Sequence, residues 1–164
     1  MTGESYVKGK LVDLKFGNTD VATQMIAEMI GAKRFQIQTV KTYPSGHMNL
    51  IKEAEEEINE NARPELLKTV EHMEQYDAII LGYPNWWGTI PMPVATFLES
   101  YDFTGKKIYP LCTNEGSGLA DSVGDIKKLV PAAEVESGLA VNGGEVQNSK
   151  AVIENWLQRN NLID

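Results

Sequence analysis

Three short segments of this chain carry residue types that can do chemistry, and each lies where a strand-like run gives way to a helix-like one. The first is Gly17-Asn18-Thr19, at the head of a helical pattern. A glycine there lets a ligand approach the backbone, Asn18 and Thr19 offer side-chain donors, and the unpaired N–H groups of the first turn form a positive dipole end. That is a phosphate site in chemical type, although Asn and Thr before a helix also serve as plain caps. The second is Pro84-Asn85-Trp86-Trp87-Gly88, a connection too short to bury both indoles. At least one of them should stand near the mouth of a cleft as a platform for something flat; the alternative use is to fill space under the loop. The third, Thr113-Asn114-Glu115-Gly116-Ser117, is a polar glycine-bearing turn. Its backbone donors can meet the edge of a planar heterocycle, or it can be an ordinary flexible loop.

Other reactive groups are sparse. Cys112 closes an apolar run and reads as a small core residue. His47 and His72 fall in or near helical segments, no Ser/His/Asp or Cys/His set is apparent, and nothing has metal-ligand spacing. A net charge of -8 over 164 residues argues against nucleic acid, which requires a basic surface. It favours a basic protein partner or plain solubility. With one cysteine there is no disulfide framework, so a reducing cytoplasm is the natural setting. No apolar run approaches the roughly 18 residues a membrane span needs, and the polar start is no signal peptide.

The elements that must position the three loops alternate strand and helix, which implies one α/β domain with a mostly parallel sheet. Ala78 to Leu81 is an unbroken apolar run of the kind covered on both faces. Segment 11–16 carries Asp13 and Lys15 and looks half exposed, a poor central strand. A helix follows from about 19 to 31, with Gly31 as its stop. Phe35, Ile37 and Val40 mark an edge strand. The acidic segment 47–61 reads as a helix with a solvated face. Pro64 opens a short helical stretch that turns Leu66, Leu67, Val70 and Met73 inward. Then come a strand at 107–113, a helix at about 119–129, a strand near 134–141 and a last helix at about 147–160. That helix would carry Ala151, Val152, Trp156 and Leu157 on its apolar stripe.

The segment from Gly82 to Lys106, GYPNWWGTIPMPVATFLESYDFTGK, closely resembles the short-chain members of the flavodoxin family. The similarity continues through IYPLCTNEGSG and the terminal helix. It implies a flavodoxin-like sandwich with strand order 2-1-3-4-5, binding FMN non-covalently at the carboxyl ends of the strands. By the same resemblance Gly17, Asn18 and Thr19 match part of the phosphate loop. Pro84, Asn85, Trp86, Trp87 and Gly88 match the loop against the isoalloxazine ring, and Thr113, Asn114, Glu115, Gly116 and Ser117 the loop on its other side. Two departures stand out. Asn114 occupies a position where relatives often carry histidine. Family members also open with a hydrophobic strand ending in a Ser-x-Thr-Gly-type turn, whereas this chain opens Met1-Thr2-Gly3-Glu4. Thr2 and Gly3 then read as the tail of that turn and as phosphate-binding residues, with 5–16 an insertion and the first strand absent. On this reading the natural protein begins upstream of Met1, or another segment fills the slot between the strands near 34–40 and 77–83. The internal candidate is 10–16, which would put charges on a covered face.

The resemblance implies an electron carrier working through FMN, with a carbonyl of the 85–88 loop meeting N5–H of the reduced ring and Gly88 giving that loop freedom to rotate. An FMN-dependent NAD(P)H oxidoreductase acting on quinones is the alternative. A binding module without flavin follows if the missing strand abolishes the site.

Overall fold

The computed structural model describes residues 9–14, 17–44 and 46–163. In chain order the elements are β1 (Gly9–Leu14), α1 (Gly17–Ile30), β2 (Arg34–Ile37), α2 (His47–Asn59) and β3 (Ala78–Pro84). They continue with α3 (Met92–Glu99), β4 (Lys107–Asn114), α4 (Ser122–Leu129), β5 (Glu134–Val135), β6 (Leu139–Asn142) and α5 (Lys150–Arg159). The strands form one parallel sheet in the order β2-β1-β3-β4-β5, with β6 also on β4.

The period-two geometry of a strand divides β3 between two cores. Ile79, Leu81 and Tyr83 pack with Val94, Phe97 and Leu98 of α3 and Ile126 of α4. Ala78 and Ile80 pack on the opposite face with Ala22 and Ile26 of α1 and Ile153, Trp156 and Leu157 of α5. Every residue of β3 is buried, as an apolar run between two helical layers requires.

The expectation of an absent first strand is wrong. β1 fills the slot between β2 and β3, so segment 5–16 is no insertion after a lost turn. Thr2 and Gly3 lie outside the described residues and precede β1 in the chain, which removes the reason for placing them in the turn that follows it. The charge of Asp13 is tolerated at the sheet centre because β2 brings a counterion beside it. Arg34 Nη2 donates to Asp13 Oδ2 at 3.0 Å, to Asp20 Oδ1 at 2.6 Å and to Thr23 Oγ1 at 2.9 Å, while Nη1 donates to Gln24 Oε1 at 2.7 Å. Asp13 is 0% exposed and, among the described residues, its Oδ1 has no partner. Burial, only partly offset by Arg34, lifts its carboxyl above the ordinary 3.8. Lys15 lies outside the described residues.

Close approach of α1 to β3 depends on Gly82, since a methyl group there would meet Thr23 Cγ2 at 2.7 Å and Asp13 Cβ at 3.3 Å.

Three other expectations need correction. Residues 64–73 form no helix: Leu66 makes a lone bridge with Thr39, Leu67 is exposed, and only a 3-10 turn at Met73–Gln75 follows. The strand near 134–141 is split into β5 and β6. Glu136 N donates to Ile108 O, so residues of that parity in β4 face the split strand. The next such residue, Pro110, has no N–H to continue the ladder, and Gly138 packs against it. In α5 the buried stripe is Ile153, Trp156 and Leu157, with Ala151 and Val152 exposed. The acidic face of α2 holds one exception, Glu57, which is buried and accepts from Tyr43 Oη and Lys41 Nζ. No helix among the described residues is long and apolar enough to cross a membrane.

Candidate functional site

The carboxyl ends of β3 and β4 and the start of α1 surround a cleft of about 560 Å³. Its lining includes nine of the residues singled out from the sequence: Gly17 and Asn18, Pro84 to Trp87, and Thr113 to Glu115. The volume is in the range of small-molecule sites.

Two asparagines hold the loops in place. Asn85 N donates to Thr113 O at 2.8 Å, its Nδ2 to Gly118 O at 2.9 Å, and its Oδ1 accepts from Gly88 N at 2.9 Å. Asn114 Oδ1 accepts from Gly116 N at 2.8 Å and Gly118 N at 3.1 Å, and its Nδ2 donates to Val141 O at 3.1 Å. Each amide closes a turn that its own backbone could not.

The two tryptophans do different work. Trp86 and Thr89 exchange backbone bonds of 3.1 and 3.2 Å around Trp87 at φ 57° and Gly88 at φ 82°. Positive φ at both central residues identifies a type I′ turn. Trp86 is half-buried, packs on the core and meets Tyr43 edge-on at 6.3 Å, which is the space-filling use. Trp87 is 53% exposed at the cleft, and its Nε1 donates to Ile51 O of α2 at 3.0 Å. The Gly88 carbonyl accepts from Asp121 N at 2.9 Å, and the Trp86 carbonyl is taken by Thr89. For the Trp87 carbonyl no hydrogen bond is present among the described residues. Rotating the 87–88 peptide would convert the turn to type II′ and force Trp87 into a conformation kept for glycine. Gly88 supplies the positive φ but not that rotation.

Four of the expected residues do not line the cleft. Thr19 is buried, with its hydroxyl 2.7 Å from that of Thr113, so the pair ties α1 to β4. Gly88, Gly116 and Ser117 lie outside the lining. The outer wall is one the sequence reading missed: Leu50, Ile51 and Ala54 of α2. Their spacing within an acidic helix was the available signal. Gly143, just past β6, was also missed. A methyl group on it would stand 2.4 Å from Asn18 Nδ2 and 3.0 Å from Glu115 Oε1, so the absence of a side chain there leaves room for these two lining residues.

Cys112 beneath this site is no nucleophile, because burial pushes its thiol up to about 12. Tyr83, also buried, has its hydroxyl raised by desolvation and held 2.9 Å from Ser122 Oγ.

The sequence pattern of a family described as flavodoxin matches residues 14–160. Among solved structures, a candidate flavoprotein from Bacteroides eggerthii superposes with a TM-score of 0.81. It is 25% identical, and the match covers 93% of this chain and 96% of that one. A flavoprotein from Lactobacillus acidophilus in complex with FMN gives 0.69 at 20% identity, covering 87% and 97%. A Fusobacterium nucleatum flavodoxin bound to flavin mononucleotide gives 0.58 at 16%, covering 92% and 94%. The last two share the fold. No curated protein matches the sequence at a significant level.

Proposed function

Because the chain belongs to the flavodoxin family, we propose that its cleft holds FMN non-covalently and that the protein is an electron carrier. The observation that carries this reading is the cleft itself, at the carboxyl ends of a parallel sheet, with an exposed indole and an apolar helix face in its lining. FMN, when bound, supplies the redox chemistry through its isoalloxazine ring.

The chain's own residues would do the positioning. Pro84 to Trp87, Leu50, Ile51 and Ala54 offer apolar and aromatic contact to a flat ring. Thr113 to Glu115 would meet its edge, and Gly17 and Asn18 would offer the start of α1 to its side chain. The Trp87 carbonyl, without a hydrogen bond among the described residues, would be an acceptor available to a ring N–H.

A carrier is favoured over an NAD(P)H-dependent quinone oxidoreductase by two features. Trp87 is tied to α2, which narrows the space for a second flat substrate. The described lining also holds no Lys or Arg for the phosphates of a dinucleotide. The net charge of -8 supports a basic redox protein as partner.

Titrating the apo-protein with FMN should quench flavin fluorescence and leave a yellow protein after gel filtration. A preparation that stays colourless would sink the reading. The loaded protein should pass electrons to a basic one-electron acceptor, more slowly as salt rises. Rapid NADPH oxidation with a quinone would replace the carrier by the oxidoreductase.

A further inference from the structure

We propose that Trp86, Tyr43 and Glu57 form a light-driven electron relay: a photo-excited flavin ring takes an electron from Trp86, Tyr43 refills the indole, and Glu57 takes the phenolic proton. The proposal rests on the flavin reading above, because the oxidant is the ring in the cleft. Trp86 lines that cleft and is half-buried against the core. Its ring meets Tyr43 edge-on with centroids 6.3 Å apart, close enough for an electron to pass. Tyr43 Oη stands 2.8 Å from Glu57 Oε1 and 2.9 Å from Oε2, so the phenol donates to a carboxylate that is only 5% exposed.

Each group has the chemistry its place requires. A ground-state flavin is too weak an oxidant for an indole, whereas the same ring carrying the energy of an absorbed photon is not. Losing an electron turns a phenol into a strong acid, so a tyrosine is oxidised readily only where a base already holds its proton. Glu57 is that base, and its carboxylate is paired with Lys41, whose ammonium also bonds Glu53. Lys41 Nζ stands 4.8 Å from the centre of the Tyr43 ring, a positive charge that disfavours a phenol cation and so favours release of the proton. Before the flash, burial and the Glu57 carboxylate keep the phenol protonated well above its usual range. One electron passes from Trp86 to the ring and one from Tyr43 to Trp86, while the Tyr43 O–H bond breaks and a Glu57 O–H bond forms. The ring ends one electron richer and Tyr43 a neutral phenoxyl radical. Trp87, also in the lining, gives its N–H to the Ile51 peptide carbonyl, which is no base, so an electron lost there returns from the ring.

The test is laser-flash transient absorption of the full-length protein loaded with FMN. An indole radical is expected to decay into a phenoxyl radical, more slowly in deuterium oxide. Tyr43→Phe, which removes a single oxygen atom, should abolish the phenoxyl signal and lengthen the life of the indole radical, and Trp86→Phe should abolish both. Glu57→Gln keeps an acceptor for the phenol but not a base, so the phenoxyl step should slow about a hundredfold, the low end of what a positioned base contributes. A phenoxyl signal that survives Tyr43→Phe or Trp86→Phe, or a rate unchanged in Glu57→Gln and in deuterium oxide, would overturn the relay. The apo-protein gives a readout that needs no flavin: indole radicals made with azide radicals in pulse radiolysis should pass to tyrosine in the parent and not in Tyr43→Phe. If FMN does not bind, the flavin reading falls and takes the light-driven step with it, and the azide result still decides the step from Trp86 through Tyr43 to Glu57. If FMN binds and no phenoxyl signal depends on Tyr43, the relay alone is overturned.

Discussion

Replacing Arg34 with Gln tests how a central strand tolerates a charge. Asp13 is 0% exposed and, among the described residues, Arg34 supplies its single ionic partner while the second carboxylate oxygen has none. Removing the guanidinium would leave a buried carboxylate with no counterion, a change that costs about 3–5 kcal/mol in comparable pairs. The loss has a ceiling, because the carboxyl can take up a proton. Protonating a group of ordinary pKa 3.8 at pH 7 costs about 4 kcal/mol, at about 1.4 kcal/mol per pH unit. The ion pair that Arg34 also makes with Asp20, which is 43% exposed, adds at most about 1 kcal/mol. The variant's folded state then binds one more proton than its unfolded chain between pH 3.8 and neutrality. Its stability therefore falls as pH rises through that window. The parent has the same sign over a narrower window, since Arg34 limits the rise of its Asp13 pKa. Urea unfolding should show a deficit of about 4 kcal/mol at pH 7 that shrinks to about 2 kcal/mol near pH 5.5. A deficit under about 1 kcal/mol at pH 7, or one independent of pH, would refute the reasoning. Asp13→Asn provides the contrast. It removes the buried charge and leaves Arg34 with Asp20, so it should cost far less than Arg34→Gln at pH 7.

Trp87→Gly relieves a left-handed residue worth about 1–2 kcal/mol and loses an exposed indole and its bond to Ile51. Apo stability should change little, while FMN affinity falls by about 1–3 kcal/mol, and unaltered binding would end the platform assignment. Trp86→Ala should instead lower stability by about 2 kcal/mol, half the cost of a fully buried tryptophan, as read by thermal unfolding. Gly82→Ala should destabilise by about 1–3 kcal/mol, because its methyl group would sit 2.7 Å from Thr23 Cγ2; a neutral result in urea would show that α1 can move off β3.

Much of the site was legible in local sequence. The unbroken run Ala78 to Leu81 could only be a strand covered twice, and the two loops following β3 and β4 carry glycines and amides that close their turns without distant help. One indole had to be exposed in so short a connection, but which one depended on the type I′ turn that faces Trp87 toward α2. The apolar wall of Leu50, Ile51 and Ala54 was hidden because the acids around it dominate the composition of that segment. The place of β1 was misread for a different reason. A charge argues against a central strand only while its partner is unknown, and the partner of Asp13 is Arg34, placed beside it by parallel pairing of β1 with β2. The same holds for Thr19, a free donor in sequence but consumed by Thr113 once α1 packs on β4. Backbone geometry and solvent exclusion over a few residues are local properties, so the chain determines them by itself. Whether a polar group is spent or available depends on what the fold brings within 3 Å of it, and that was decided only in three dimensions.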